Sequence, residues 1–263
     1  MEMALIAMDN PVRRRVLNGE ISVGTWCING NALTTETLGY CGFDWILIDV
    51  EHFPTDLPQC TECIRAAETA GVVPMVRLAS ADPVAIKQYL DAGAMGLVIP
   101  QIRSAQDARD IVTWSRFRPL GKRPFGRGRV GLRYQNYLRD ANNHILILPQ
   151  IETKDAVEQL DEILEVKGCD GFLVGPTDLS MDFGWPTPAE GNHAEREQLV
   201  ADLGRRIRAA GKVAATLSAS AEQLMQRVDA GFNMVSLLSD LFMIQQFAQT
   251  ELKNVNDALE RRG

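Results

Sequence analysis

Eight short apolar runs, rich in Val, Ile and Leu, recur along the chain and constrain its fold more than any other feature. The runs show little polar alternation, which is typical of parallel strands that are buried on both faces. The segments between them are long enough to hold a crossover helix. The runs cover residues 22–28, 43–49, 72–78, 95–100, 145–151, 171–175, 212–217 and 233–238.

The separating segments carry helix start and stop signals. Asp82 and Ser104 precede helical patterns as N-caps, and Gly93 and Gly231 follow patterns that end. Eight β/α units without an internal linker predict an α/β fold, a single (β/α)8 TIM barrel over residues 1–263, with a helix near each terminus.

Two stretches interrupt the regular alternation. Residues 117–143 form a long connection after the fourth unit, and residues 183–193 form a Pro/Gly-rich excursion after the sixth. Because the working loops of a barrel follow its strands, the excursion is expected on the functional rim. The long connection follows a helix and is expected to start from the opposite rim.

Composition narrows the class of function. The chain has 27 Lys and Arg against 34 Asp and Glu, a net charge of −7, so no general positive field favours nucleic acid or a membrane surface. No apolar run reaches the roughly 18 residues of a membrane span, and the N-terminus does not read as a secretion signal. We expect a cytoplasmic protein that acts on small molecules.

The cysteines do not suggest a disulfide framework. There are five, an odd number, and Cys60 and Cys63 form the only CxxC pair. No second cysteine pair or nearby histidine completes a set of zinc ligands. The segment reads as an amphipathic helix, so packing is favoured over a redox or metal role.

Two carboxylates follow the fifth and sixth predicted strands, at Glu152 and Asp178. Neighbouring strands lie roughly 4.8 Å apart, so the two groups are expected close together, where a hard divalent cation would neutralise them. The alternative is structural: Glu152 caps the helix that follows it, and Asp178 opens a loop.

Arg77 and His52 also stand at strand ends. The guanidinium of Arg77 is suited to hold a carboxylate or an oxygen on which negative charge develops, or else forms a structural ion pair. His52, one of three histidines, is suited to move a proton near neutral pH, or else is an ordinary core or surface histidine.

The lysines and a basic segment complete the chemical inventory. None of the six lysines is placed to form a Schiff base in the barrel mouth, so enolate chemistry would require a metal. Residues 116–133 carry seven basic residues and no acid. That segment could bind the anionic end of a substrate, contact another subunit or form a solvated loop. The lysines are Lys87, Lys122, Lys154, Lys167, Lys212 and Lys253.

Five segments, in order along most of the chain, resemble one enzyme family. They read FDWILIDVEHFPTD, PMVRL, GLVIPQI, LPQIETKDAVEQLDEIL and GFLVGPTDLSMDFG. Together they are similar to the metal-dependent (class II) pyruvate aldolases of the 4-hydroxy-2-oxoheptane-1,7-dioate and 2-dehydro-3-deoxyglucarate aldolase family. The resemblance implies a barrel of the phosphoenolpyruvate/pyruvate type, assembled as a homohexamer whose subunits exchange a helix.

The resemblance also implies ligands for the metal. Glu152 of the QIET motif and Asp178 of the GPxDLS motif would bind Mg²⁺ or Mn²⁺, with Co²⁺ as a third candidate. Asp49 and Glu51 would act on waters around the ion.

Further roles follow from the same motifs. His52 would be the acid/base residue, oriented by Asp91 of the YLDAG segment, and Arg77 would hold the enolate oxygen. The resemblance places four residues beside the substrate: Gln150 and Thr177 at the keto acid, Leu217 at the aldehyde, and Arg123 in the basic segment. Many relatives read GxRG there, whereas this chain reads GKRPFG, so the motif does not specify the aldehyde.

The implied reaction is reversible aldol cleavage of a 4-hydroxy-2-oxo acid to pyruvate and an aldehyde. Two alternatives remain open. One is decarboxylation of oxaloacetate through the same pyruvate enolate. The other is a non-catalytic barrel that binds a 2-oxo acid, since a fold does not guarantee turnover.

Overall fold

The chain folds into a closed barrel of eight parallel strands in sequence order, in a computed structural model that describes residues 5–126 and 128–262. The predicted TIM barrel is confirmed, and each apolar run coincides with one strand to within two residues at either end. The strands are β1 (Ser22–Cys27), β2 (Trp45–Asp49), β3 (Val73–Arg77), β4 (Gly96–Ile99), β5 (Leu146–Ile151), β6 (Gly171–Val174), β7 (Val213–Ser218) and β8 (Met234–Ser239).

Helices alternate with the strands and surround the barrel. They are α1 (Pro11–Leu17), α2 (Ala32–Tyr40), α3 (Leu57–Thr69), α4 (Pro83–Ala92), α5 (Ala105–Ser115), α6 (Arg129–Arg133), α7 (Tyr137–His144), α8 (Lys154–Glu158), α9 (Leu160–Leu164), α10 (Pro176–Phe183), α11 (Ala194–Ala209), α12 (Ala221–Asp229) and α13 (Asp240–Glu260). No described helix combines the length and apolar character that a membrane crossing requires.

Local sequence signals explain where many helices begin and end. The Asp82 side chain accepts hydrogen bonds from the backbone at the start of α4, and Ser104 forms a capping box at the start of α5. Gly93 ends α4 with a φ of 115°, a left-handed conformation that favours glycine. These caps were predicted from the sequence.

The strands β2 to β6 are buried along their whole length, which matches the uninterrupted apolar runs. Cys60 and Cys63 on α3 are fully buried and unbridged, which is the arrangement that helix packing predicts. Lys212 donates to the carbonyls of Val166 and Cys169, which precede β6, so it lies at the amino ends of the strands and away from the mouth.

An ionic cluster holds the amino-terminal end of the barrel together. Asp170, just before β6, accepts from Arg13 of α1 at 2.7 Å and from Arg116 after α5 at 2.5 Å. The same carboxylate accepts from the backbone N–H of Ile147 at 2.8 Å. One buried carboxylate therefore links the N-terminal helix, the segment after α5 and the strand β5.

The two irregular stretches differ from each other. The connection 117–143 contains the helix α6 and most of α7, which the sequence did not indicate. The excursion 183–193 follows α10 and ends at His193, the N-cap of α11. It lies on the carboxyl-end side of the strands, as expected.

Candidate active site

Side chains from β2 and β3 form a buried ion pair at the carboxyl ends of the strands. Asp49 and Arg77 are direct neighbours in the β2–β3 register. The guanidinium of Arg77 donates from Nε to Oδ1 of Asp49 at 2.9 Å and from Nη2 to Oδ2 at 2.6 Å. This bidentate pairing fixes the plane of the guanidinium, and the side chain of Asp49 is fully buried.

Trp26, on β1, supports the same arginine. The guanidinium carbon of Arg77 lies 4.4 Å from the centroid of the indole ring. The indole Nε1 donates to Oγ of Ser236 on β8 at 2.7 Å, which fixes the ring. The sequence does not reveal this role, because a tryptophan within an apolar run reads as a core residue.

Glu51 and His52 follow β2 and flank the ion pair. Oε2 of Glu51 lies 3.2 Å from Nε of Arg77 and 3.6 Å from Nε2 of His52. Burial raises the pKa of Glu51, and the charges of Arg77 and His52 oppose that change. The His52 side chain is 55% exposed, so its imidazole can exchange protons with a substrate or with water.

Glu152 occupies a buried position directly after β5. Its Oε1 accepts from the backbone N–H of Gln101 at 2.7 Å, and its Oε2 contacts Nε2 of Gln150. Burial raises its pKa to about 8; the Gln101 hydrogen bond opposes this, and the negative charge of Asp178 reinforces it. The helix α8 is capped by Thr153, so the capping alternative for Glu152 is wrong.

Gln101 adopts an unusual backbone conformation in this position. Its φ is 62°, in the left-handed region that non-glycine residues seldom occupy. The bend aims its N–H at the carboxylate of Glu152. Strain of this kind concentrates at functional sites, and no side-chain pattern could have revealed it.

Asp178 lies in the first turn of α10, half-buried, and its charge acts on both Glu152 and Glu51. The negative charge of Asp178 is therefore felt by both glutamates at the carboxyl ends of the strands. Among residues 5–126 and 128–262, no set of three His, Cys, Asp or Glu side chains forms a ready metal site. A cation here would have two protein carboxylates and would take its other ligands from substrate or water.

The donor set and the space around it fit such an ion. Oε1 of Gln150 is buried and has no hydrogen-bond partner. A Cβ at Gly175 would lie 2.8 Å from Nε2 of Gln150 and 3.0 Å from Oε2 of Glu152, so only glycine keeps this cradle open. Clustered hard oxygen donors that repel one another match the preference of Mg²⁺ or Mn²⁺.

The remaining predicted substrate residues are spread along the mouth. Leu217, near the end of β7, lines a cavity of about 370 Å³ together with Trp26, Asp49 and Arg77. Thr177 is exposed in the first turn of α10. Both therefore lie on the rim that carries Glu152.

Asp91 and Arg123 lie elsewhere. Asp91 is near the carboxyl end of α4, which leads back to the amino-terminal end of the barrel, and it accepts from Nη2 of Arg123 at 2.5 Å. The Arg123 side chain is fully buried and also contacts the hydroxyl of Tyr137. Within one chain the structure does not bring either residue to His52 or to the mouth. Of the basic segment 116–133, Arg127 lies outside the described residues.

The match to a known family identifies this (β/α)8 barrel as a carbon–carbon lyase. Residues 22–246 match the family model described as HpcH/HpaI aldolase/citrate lyase, and the chain belongs to that family. The family confirms the predicted class of reaction, metal-dependent aldol cleavage of a 4-hydroxy-2-oxo acid to pyruvate and an aldehyde.

Individual relatives agree with this assignment. The 2-keto-3-deoxy-L-rhamnonate aldolase of Escherichia coli (strain K12) is 35% identical over 240 residues, covering 90% of this chain and 89% of the relative. An HpcH/HpaI aldolase/citrate lyase family protein from Burkholderia cenocepacia J2315 superposes with a TM-score of 0.87 at 27% identity, covering 94% of this chain and 99% of that chain. An HpcH/HpaI aldolase from Desulfitobacterium hafniense DCB-2 gives 0.86 at 28% identity, covering 95% and 97%.

Proposed function

We propose that Glu152 and Asp178 hold the divalent ion of this aldolase, Mg²⁺ or Mn²⁺, with Co²⁺ as a substitute. The observation that carries the proposal is the pair of mutually repelling carboxylates beside the unpartnered amide oxygen of Gln150. When bound, the ion would supply Lewis-acid polarisation of the 2-oxo group of the substrate. Asp49 and Glu51 would orient waters around it.

The chain's own residues would then position the 2-oxo acid. Arg77 lines the mouth with its plane fixed by Asp49 and Trp26, so the donors that Asp49 leaves free would face an oxygen that becomes negative during cleavage. Gln150 would contact the keto acid, and Thr177 would border it. Such fixed donors cost no reorganisation when charge develops.

His52 would remove the proton from the C4 hydroxyl. The C3–C4 bond breaks as the C4 oxygen becomes the carbonyl of the departing aldehyde, and the bonding electrons remain on C3 as the enolate of pyruvate. Protonation of C3 completes the product, and the reverse sequence gives aldol addition. Leu217 would border the aldehyde. The name of the Escherichia coli relative suggests a 2-keto-3-deoxy acid as the substrate class.

We further propose that the working form is a homo-oligomer, a hexamer whose subunits exchange the C-terminal helix. On α13 the side chain of Asp240 alone is buried, and large apolar residues along it are exposed. A second copy would cover that surface. If Asp91 acts on His52, it must do so from another subunit, because the two lie at opposite ends of one barrel.

The cysteines, all unbridged, fit a cytoplasmic location.

The test starts from metal-stripped protein. Pyruvate release from a 4-hydroxy-2-oxo acid should vanish on removal of the ion and return with Mg²⁺ or Mn²⁺. Glu152→Ala and Asp178→Ala should each remain inactive after metal is restored. Asp161→Ala, which removes a surface carboxylate, is the matched control. Full activity in either site variant would contradict the proposal, and release of CO2 from oxaloacetate without aldehyde release would favour decarboxylation.

A further inference from the structure

The mouth cavity extends well beyond the groups that hold the 2-oxo acid. Arg77 and Asp49 border it at β2 and β3, and Gln223 and Arg227 of α12 border it on the opposite side of the barrel. Its volume of about 370 Å³ falls within the ~300–1,000 Å³ typical of small-molecule sites. The cavity therefore has room for the part of the substrate that leaves as the aldehyde.

The geometry of α12 explains how Arg227 reaches the mouth. The helix follows β7 and runs away from the rim, and side chains on a helix tilt toward its N-terminus. Gln223 and Arg227 are four residues apart and share one face. The long side chain of Arg227 thus extends back toward the cavity although only 5% of the residue is exposed.

Among the described residues, Glu197 is the one carboxylate within 4.0 Å of the guanidinium groups of Arg227 and Arg196. Its Nη1 lies 2.7 Å from Oε2 of Glu197, whose Oε1 accepts from Nε of Arg196 at 2.9 Å. Burial alone would raise the pKa of Glu197, but the two arginines hold it below its ordinary value. One carboxylate therefore serves two guanidinium groups.

Each guanidinium nitrogen of Arg196 donates to a protein acceptor, whereas Arg227 has a nitrogen without one. Arg196 donates from Nη1 to the carbonyl of Pro186 at 2.7 Å and from Nη2 to that of Gly191 at 3.0 Å. It fastens the excursion 183–193 over the start of α11. The buried Nε of Arg227 has no hydrogen-bond partner. The excess charge thus lies on the arginine that faces the cavity.

We propose that Arg227, with Gln223, forms a subsite that binds an anionic terminal group, a carboxylate or a phosphate, on the aldehyde half of the substrate. The inference rests on the proposed function, because it assigns the partner of the same reaction. A planar guanidinium with free donors matches a carboxylate or phosphate. A neutral terminus would leave the excess charge uncompensated in a largely buried site. Arg227 would determine specificity and take no part in bond cleavage.

The experiment compares matched pairs of aldehydes in condensation with pyruvate. Succinic semialdehyde against butanal tests a carboxylate, and glyceraldehyde 3-phosphate against glyceraldehyde tests a phosphate. The readout is the ratio of kcat/KM for the charged and the neutral member. We expect a ratio of about tenfold or more in one pair for the native chain. Arg227→Met should bring that ratio close to one, as expected for loss of the charge-assisted contact that creates the preference.

Controls separate recognition from folding. Arg206→Met removes an arginine of α11 that pairs with Asp161 on the surface, at 2.7 Å, and should leave the ratio unchanged. If Arg227→Met does not fold, Arg227→Lys keeps a charge opposite Glu197 but loses the planar fork, and should lower the ratio several-fold. An unchanged ratio in a folded variant, or equal losses for both members of the pair, would overturn the subsite.

A separate measurement distinguishes failure of the anionic subsite from failure of the proposed function. Exchange of the pyruvate methyl protons with D2O reports enolisation and needs no aldehyde. A native protein that neither exchanges these protons nor condenses any aldehyde would contradict the proposed function itself. A native protein that exchanges them and accepts charged and neutral aldehydes equally would contradict the anionic subsite alone.

Discussion

Glu152 makes the metal-free protein sensitive to pH. Its pKa is about 8 when folded, against an ordinary value of 4.5, so between these values the native state holds a proton that the unfolded state lacks. The contribution of Glu152 to the free energy of unfolding has its full value below about pH 4.5 and is lost as the pH rises toward 8. We expect the urea midpoint of metal-free protein to fall over this range. Glu152→Gln should flatten the fall, and an identical slope in both proteins would contradict the prediction.

His52 allows a kinetic prediction. His52→Gln should slow cleavage of a 4-hydroxy-2-oxo acid by about a hundredfold or more, since general acid–base groups contribute ~10²–10⁴-fold. The affinity of the His52→Gln variant for Mn²⁺, measured by titration, should stay near that of the native chain, because Glu152 and Asp178 are intact. His144→Gln, at the end of α7, is the matched control and should cleave normally. Native turnover in His52→Gln would remove the proposed role.

The residues that the sequence did and did not reveal differ in a physical respect. Glu152, Asp178, Arg77 and His52 could be grouped because polar side chains at the carboxyl ends of apolar strands must lie at one rim. Gln101 contributes only a backbone N–H, and the indole of Trp26 acts through its face, so neither has a polar signature. The roles of Asp91 and Arg123 came from family motifs alone. Those motifs do not indicate at which end of the barrel the two side chains lie.

Among the strands and helices, the sequence predicted correctly those whose position is determined by local signals. Strands were marked by apolar runs, and α4 and α5 by their caps. The helix α7 begins after Asn136, which has a φ of 53° and makes no side-chain cap. Instead its Tyr137 packs edge-on against Phe117 at 6.0 Å and donates to the carbonyl of Leu90 at 3.3 Å. Contacts between distant residues define such a helix, and a single sequence does not display them.

The exposed apolar residues of α13 lead to a prediction about assembly. Ile244 is 58% exposed and Phe247 71% exposed, which is costly for a free helix in water. Replacing both by Asp should lower the oligomer mass in sedimentation velocity while the circular dichroism of the barrel persists. Gln246→Asp, on the same helix, should leave the mass unchanged. A native chain that sediments as a monomer would contradict the proposed assembly.

At the scale of the whole molecule, the barrel separates stability from chemistry. The order and number of strands follow from the eight apolar runs, so the sequence predicts which side chains share an end. At the amino-terminal end, charges are closely paired, such as Asp170 with Arg13 and Arg116, although the buried Nε of Arg13 has no hydrogen-bond partner. The carboxyl end contains unsatisfied or mutually repelling groups, such as Gln150, Glu152 and Asp178. Unpaired groups of this kind lower the stability of a fold and are typical of sites that bind a ligand.

This division predicts opposite outcomes for two Asp→Asn substitutions. Asp170→Asn would leave Arg13 and Arg116 without a counter-charge, and we expect a loss of about 3–5 kcal/mol in the free energy of unfolding. The protein that remains folded should retain native kcat, because Asp170 lies at the far end of the barrel from Glu152. Asp178→Asn should remove a repulsion, so the metal-free chain should unfold at the same urea concentration or higher, yet release no pyruvate.

Urea denaturation and steady-state assays on the same preparations give both readouts. Asp161→Asn serves as control for the loss of an exposed carboxylate, whose pair with Arg206 should be worth under about 1 kcal/mol. Reduced kcat in folded Asp170→Asn would mean that strain at the amino-terminal end reaches the mouth through the strands. Marked destabilisation of metal-free Asp178→Asn would mean that this carboxylate supports the fold, and the division between the two ends would not hold.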